Sequence, residues 1–378
     1  MNLDHILALL LALTHWMVTD LSTRRQFVAG LLASSLSPAA TWADAGLPAF
    51  LSAAVTAEGL FVLCGINASA QVVFKLRLPA RGHAAAAHPL QPIAVAFARR
   101  PGTFAIIIDC CSGLAIATLT APEGRHFYGH GAFSLDGSLL YTTENDFESG
   151  IGRVGVWDVT DNYTRVTDFS SGGIGPHDIK RLPKTDILVV ANGGIDTHPE
   201  SGRTKLNLHN MAPNISYISD GSIIETVTLG PEMHKNSIRH LAVAGDGQIA
   251  FGMQWQGERS PPVLVGTHRR SEAVILMKTP SEYLRQMKGY VGSVAFSGKG
   301  DAVTVTSPRG GIVQHYCLAN STLTKSANLP DASGVAMTAK GVMISSGTGA
   351  LLNVAHGKTV RHQITNLFWD NHLVEITN

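Results

Sequence analysis

The chain has 378 residues, 29 basic against 28 acidic side chains, only 15% charged residues and 38 glycines. That balance gives no electrostatic footing for nucleic acid or for an anionic membrane surface. Length alone allows one large domain or two ordinary ones. The 16 histidines are the more informative count, because imidazole is the main side chain for metal ligation and for proton transfer near neutral pH. The four cysteines (Cys64, Cys110, Cys111, Cys317) lack the CxxC spacing of a zinc or dithiol motif. A bridge from Cys64 to Cys110 or Cys111 and a set of reduced core thiols both fit this spacing.

Near the N-terminus, Arg24-Arg25 precedes a modest apolar stretch at 29–36 and the small-residue run Ala43-Asp44-Ala45. This order reads as a twin-arginine export signal cleaved after Ala45. The earlier apolar stretch, 6–18, is too short to span a hydrocarbon core of about 30 Å, and Met17 is an alternative start. The expected mature protein, 46–378, is periplasmic, without stable membrane insertion, in a compartment that permits disulfides.

Beyond the signal, one pattern returns: an apolar run, a Gly or Asp-Gly turn, a second apolar run, then a Gly/Asn-rich exit. Gly131-Ala132-Phe133-Ser134-Leu135-Asp136-Gly137-Ser138-Leu139-Leu140-Tyr141 and the segment 240–251 are clear copies. Aligned on the first run, copies start near Leu51, Ile93, Gly131, His177, His240, Ser293 and Gly334, with second strands at 60–63, 103–108, 138–142, 187–190, 248–253, 302–306 and 342–344. Period-2 patterning and Val/Ile content argue strands, and the spacing suits one four-stranded blade each. The predicted fold is all-β: a single seven-bladed β-propeller with four-stranded antiparallel blades. Seven near-regular units without a linker disfavour a β-sandwich or two smaller all-β domains. The segment 372–376 is expected to close the ring by completing a blade with the N-terminal region.

In a blade, residues before the first strand and after the second share one face. The unusual polar residues fall there: Arg125, His126 and His130, then His177 and Asp178, then Arg239 and His240 ahead of first strands; Glu144, Asn145, Asn192, His198, Gln254 and Arg309 after second strands. His130, His177 and His240 hold equivalent positions in three consecutive blades, so they are the candidate metal ligands, for Zn, Cu, Fe or Ni. Glu144, Asp178 and His198 are candidate further ligands or partners orienting the rings. Arg125, Arg239 and Arg309 offer bidentate contacts to an anionic small molecule. For each histidine or arginine alone, a structural hydrogen bond or an ion pair between blades is the better explanation; it is the coincidence of three histidines that brings a functional reading level with it. The polar insertion 195–213 reads as a lid or a partner-binding element on the same face.

Several segments resemble the bacterial family DUF1513: Ala98-Arg99-Arg100-Pro101-Gly102-Thr103-Phe104, Gly124-Arg125-His126-Phe127-Tyr128-Gly129-His130-Gly131, Tyr141-Thr142-Thr143-Glu144-Asn145-Asp146, Gly175-Pro176-His177, Ala191-Asn192-Gly193-Gly194, Lys205-Leu206-Asn207-Leu208, Ser237-Ile238-Arg239-His240-Leu241 and Trp369-Asp370-Asn371-His372-Leu373. The sequence departs from the family pattern at Asp331-Ala332-Ser333-Gly334, where a Cys is expected before the Gly, and at Lys184-Thr185 in place of an Asp-Gly turn. The resemblance implies an exported propeller related to YVTN, WD40 and quinoprotein-type propellers. It also implies imelysin-like or di-haem proteins as partners in periplasmic iron or other metal uptake, and it carries no catalytic residue. The leading expectation is a binding or accessory propeller that holds a metal, a metal chelate or a partner protein on the channel face. Two alternatives stand beside it. One is a metal-dependent enzyme, a lactonase-like hydrolase or an oxidoreductase with Glu144 or Asp178 as base; the other is a ligand-free interaction scaffold.

Overall fold

The computed structural model describes residues 39–99, 103–202 and 204–376. The chain divides into Met1–Ala40 and Thr41–Asn378. The twin-arginine segment, the alternative start at Met17, Arg100-Pro101-Gly102 and Arg203 of the long insertion all lie outside the described residues.

The second unit is a seven-bladed propeller of antiparallel sheets. Blade two runs Gly82–Ala87, Ile93–Ala98, Phe104–Asp109 and Ala115–Thr120; blade three runs Arg125–Phe133, Leu139–Asp146, Ile151–Asp158 and Thr164–Ser170. Blade four comprises Pro176–Arg181, Leu188–Asn192, Asn214–Ser219 and Ser222–Thr228, and blade five Asn236–Val243, Ile249–Trp255, Val265–His268 and Ile275–Leu276. Blade six follows with Ser293–Phe296, Ala302–Ser307, Ile312–Cys317 and Thr322–Asn328, and blade seven with Ala332–Thr338, Gly341–Ser346, Ala350–Ala355 and Lys358–Gln363. Blade one takes its first three chain-ordered strands, Phe50–Thr56, Phe61–Ile66 and Val72–Arg77, from the N-terminal side. Its innermost edge comes from the C-terminal side: Leu367–Trp369 and Val374–Glu375 both pair antiparallel with Phe50–Thr56. The ring closure expected of 372–376 is therefore present.

Burial falls from the axis outward. The second strand of blade four, Leu-Val-Val-Ala-Asn, is buried throughout, whereas the fourth strand of that blade alternates between exposed and half-buried positions. A strand covered by sheets on both faces reads as a continuous apolar run, and one with a wet face alternates. This is why inner strands were visible in the sequence and outer ones faint. The largest apolar cluster joins blades four, five and six through Tyr217, Phe251, Phe296 and Tyr316.

Two blade boundaries differ from the sequence reading. Leu51 and Ile93 begin second strands, not first ones, so the segments 60–63 and 103–108 belong to third strands. The first strand of blade two is Gly82–Ala87, whose Ala-rich stretch lacks the branched residues that mark its counterparts. The first strand of blade one lies some 300 residues away at the other end of the chain.

All four cysteines are free. Cys64 and Cys110 are buried, and burial pushes both thiols up to about 12, as expected of inert core residues. Residues 42–46 form a turn that seats Trp42 against blade two, 3% exposed, with its indole N–H donating to the His88 carbonyl at 3.0 Å. Cleavage after Ala45 would strip this indole from the core. Trp42→Ala in a chain beginning at Thr41 is expected to lose about 3–5 kcal/mol in urea unfolding. A chain beginning at Gly46 should be destabilised to the same extent, and equal midpoints for all three proteins would show the slot to be dispensable.

Candidate metal centre

Five histidines meet where the inner strands of blades one to five pass the axis: His372, His83, His130, His177 and His240. Ring centroids lie 5.1 Å apart for His83 and His130, 4.6 Å for His83 and His372, and 4.7 Å for His130 and His372. His177 is 5.1 Å from His130 and 4.9 Å from His240, and His240 is 5.2 Å from His372. The three rings expected from the sequence are thus brought together, and two further ones join them. The sequence placed His372 in the closing strand and in a segment of the family resemblance, but not among the candidate ligands. His83 was hidden because blade two was read one strand late.

The backbone device that delivers these rings is the β-bulge. The inner-strand ladders are interrupted between Gly82 and Ala85, between Phe127 and Gly131, between Pro176 and Asp178, and between Ile238 and His240. Each interruption contains or adjoins the histidine of that strand. A bulge inserts unpaired residues and re-aims the side chain beside it. At Gly129, φ is +95° and an added Cβ would lie 2.6 Å from the His83 ring, so glycine is required for the turn into His130.

Two rings have their tautomer fixed from outside. His130 Nδ1 lies 3.1 Å from Asp178 Oδ1 and donates to it, leaving Nε2 as the lone pair. His177 Nδ1 donates to the Arg239 carbonyl at 2.8 Å. A carboxylate or carbonyl behind an imidazole is the usual outer support of a metal-binding histidine. Asp178 also accepts from the Leu241 amide at 2.9 Å and stands 3.4 Å from Lys180 Nζ, so it links blades three, four and five. Burial alone would raise its carboxyl, but Lys180, His130 and the Leu241 amide outweigh burial and hold it low and ionised.

The inward nitrogens have no protein partner. His83 Nδ1, His130 Nε2, His372 Nε2 and both nitrogens of His240 are buried without a hydrogen bond. Ligand nitrogens of His83, His130 and His177 lie within 4.8 Å of one another, against about 3.4 Å between imidazole nitrogens on a tetrahedral ion at 2.0–2.1 Å. Burial, followed by neighbouring imidazole and arginine charge, holds His83 and His177 well below the ordinary histidine value; burial and the neighbouring rings do the same for His372. Burial brings His240 down to about 3, with Asp178 pulling the other way. These rings are neutral at pH 7, which is the form that binds metal.

Beside the cage lies a cavity of about 40 Å³, lined by His130, His240, His372, Asp178, Lys180 and Ser293 among others. Lys180 also faces Glu375, whose carboxyl burial raises to about 7 against the pull of the Lys180 charge.

The remaining sequence candidates sit elsewhere. Glu144 is fully buried, held by Arg165 at 2.7 and 2.9 Å and by the Thr142 hydroxyl at 3.0 Å. Arg125 pairs with Asp168 at 2.7 Å and approaches Glu144 at 3.6 Å, while Arg153 also binds Asp168. This network belongs to blade three, with Arg165 5.1 Å over the Trp157 ring. His126 stacks on Phe147, centroids 5.9 Å apart, and Asn145 donates to the Thr197 carbonyl at 3.1 Å. Asn192 is a hub for Ser171, Asn214 and Ser216, tying successive strands together. His198 caps a short 3-10 turn in the insertion, its Nδ1 accepting from the Glu200 amide at 3.3 Å. Gln254 donates to the Val291 carbonyl at 3.2 Å, and Arg309 stacks 4.5 Å over the Tyr290 ring. Arg239 Nε donates to Ser237 at 2.8 Å, and the Arg239 carbonyl accepts from His177. Of the ten predicted ligand contacts, Asp178 bonds a ring of the cage through its side chain.

The sequence profile of the family DUF1513, described as "Protein of unknown function", matches residues 76–376. The chain belongs to this family. No curated protein matches the sequence. Among solved structures, hydrazine synthase from Kuenenia stuttgartiensis is similar with a TM-score of 0.57 at 13% identity, over 84% of this chain and 96% of that one. At that identity the likeness is one of fold. DUF1513 membership names the family without naming a function, and in this chain the propeller carries the histidine cage at its axis.

The buried rings make stability pH-dependent in the metal-free protein. In the unfolded chain they protonate near pH 6.5, whereas His83, His177, His240 and His372 stay neutral in the fold to much lower pH. The unfolded state binds more protons below 6.5, so stability falls as pH drops, by up to about 1.4 kcal/mol per pH unit for each such ring. Urea midpoints measured from pH 7.5 to 5 should decline, and His240→Phe should flatten the decline. A flat profile in the unsubstituted protein would contradict the buried, neutral state.

Proposed function

We propose that this DUF1513 protein binds a divalent transition metal in the five-histidine cage and serves as a periplasmic binding or accessory propeller in metal acquisition. The observation that carries the reading is the set of buried, unpartnered imidazole nitrogens facing one another. Leaving such groups unsatisfied costs about 1–3 kcal/mol each, and a structure retains that burden where a ligand relieves it. Neutral nitrogen donors favour Zn, Cu, Ni or ferrous iron; calcium and magnesium require oxygen ligands, and Asp178 is already engaged. The ring supports at His130 and His177 are those a metal site needs. The paired arginines at 24–25 support export in a folded state, consistent with loading before or after translocation. Iron uptake and imelysin-like or di-haem partners remain part of the proposal through the family resemblance alone.

Purified protein, stripped with chelator and dialysed against Zn²⁺ or Co²⁺, is expected to retain one ion per chain by elemental analysis. His130→Ala/His177→Ala should abolish retention while leaving the far-ultraviolet circular dichroism unchanged. Asp178→Asn should weaken affinity about 10- to 100-fold by removing the support behind His130. Equal, negligible metal in all three proteins would refute the reading.

A further inference from the structure

We infer that the metal held by the cage keeps one coordination position open toward the adjoining cavity, and that this position takes a small inorganic anion anchored by Lys180. The inference rests on the metal reading and specifies what the site accepts.

Charge is the first argument. Imidazole nitrogen binds metal as a neutral donor, and the Asp178 carboxylate is already engaged by Lys180 and the His130 N–H. A divalent ion there adds two positive charges to a buried setting in which the lining carboxylate, Asp178, is already paired with Lys180. Buried charge without a counter-charge is strongly unfavourable, so an anionic co-ligand is required for tight binding. Geometry is the second. His130 belongs both to the converging set His83, His130 and His177 and to the cavity wall, which it shares with His240 and His372, so the cage and the cavity adjoin at this ring. Size is the third. At about 40 Å³ the cavity holds a few water-sized groups, which admits a two- or three-atom anion and rejects a polydentate chelate.

Lys180 supplies the recognition. Its ammonium stands 3.4 Å from Asp178 at the cavity, and its side chain is about one-third exposed, so it spans the path between solvent and the cage. Glu375 and Asp178 are the carboxylates that face it. A cation at this point attracts anions and slows the escape of the metal by repulsion. Three histidine ligands plus an exchangeable fourth position is also the arrangement by which protein-bound metals present small ligands for exchange or chemistry.

The test uses the full mature chain loaded with Co²⁺, whose visible spectrum reports its coordination, and azide as the probe. Azide should shift the Co²⁺ absorption saturably. Lys180→Met should weaken azide binding at least tenfold while retaining Co²⁺, and Lys180→Arg should restore most of it. Co²⁺ that binds normally but ignores azide would overturn this inference and leave the metal reading intact. Azide affinity unchanged in Lys180→Met would overturn the anchoring role of Lys180. Failure of the unsubstituted protein to take up Co²⁺ would remove both readings together.

Discussion

Ring closure is the constraint on which the rest of this structure depends. A propeller with an open seam leaves an inner strand edge unpaired, and here the edge is sealed by strands from opposite ends of the chain. The seal is reinforced at Asp370, which takes Arg81 at 2.7 Å and Arg99 at 2.9 Å from blade two. The Ser52 hydroxyl adds a bond to the His372 carbonyl at 2.8 Å. Only with that seal does His372 reach His83 and His130. The cage is therefore a product of tertiary closure, not of any local motif.

Within the closed ring, Asp178 organises the centre. It fixes the His130 tautomer, receives an amide from blade five and balances Lys180, all from one buried carboxylate. Its neighbour His177 is steered by a carbonyl of blade five. Three blades are thus locked in mutual register by polar bonds at the axis, while apolar contacts hold them further out. Polar order at the axis and apolar cohesion between the sheets divide the labour that a uniform core performs in smaller folds.

Much of the fold was legible in the sequence because the inner strands carry Val/Ile-rich runs at a regular period. Blades three to seven were placed correctly from that signal. Blades one and two slipped by one strand: Gly82–Ala87 has alanines where the pattern calls for branched residues, and the first strand of blade one is out of sequence. The site was half legible. Equivalence of position pointed to His130, His177 and His240, but His83 fell in the slipped blade. Sequence position also overvalued charged residues near the same face. Glu144 and Arg125 look like site residues by location, yet a single ion-pair network within blade three consumes both. Which way a side chain turns off a strand depends on bulges that leave no mark in the hydrophobic pattern. A better signal for His83 would have been its Gly-His pair ahead of a short apolar run, matching Gly129-His130.

The bulges of blades four and five each contain a single extra residue. In blade four that residue is His177 itself, so deleting its codon would restore an uninterrupted ladder and remove one imidazole from the axis. The scaffold can in this way shed one ring of the cage in a single genetic step while gaining regularity. The irregularity is thus held against the pairing preference of the sheet, and it ties the placement of the ring to the backbone and not to the side chain alone.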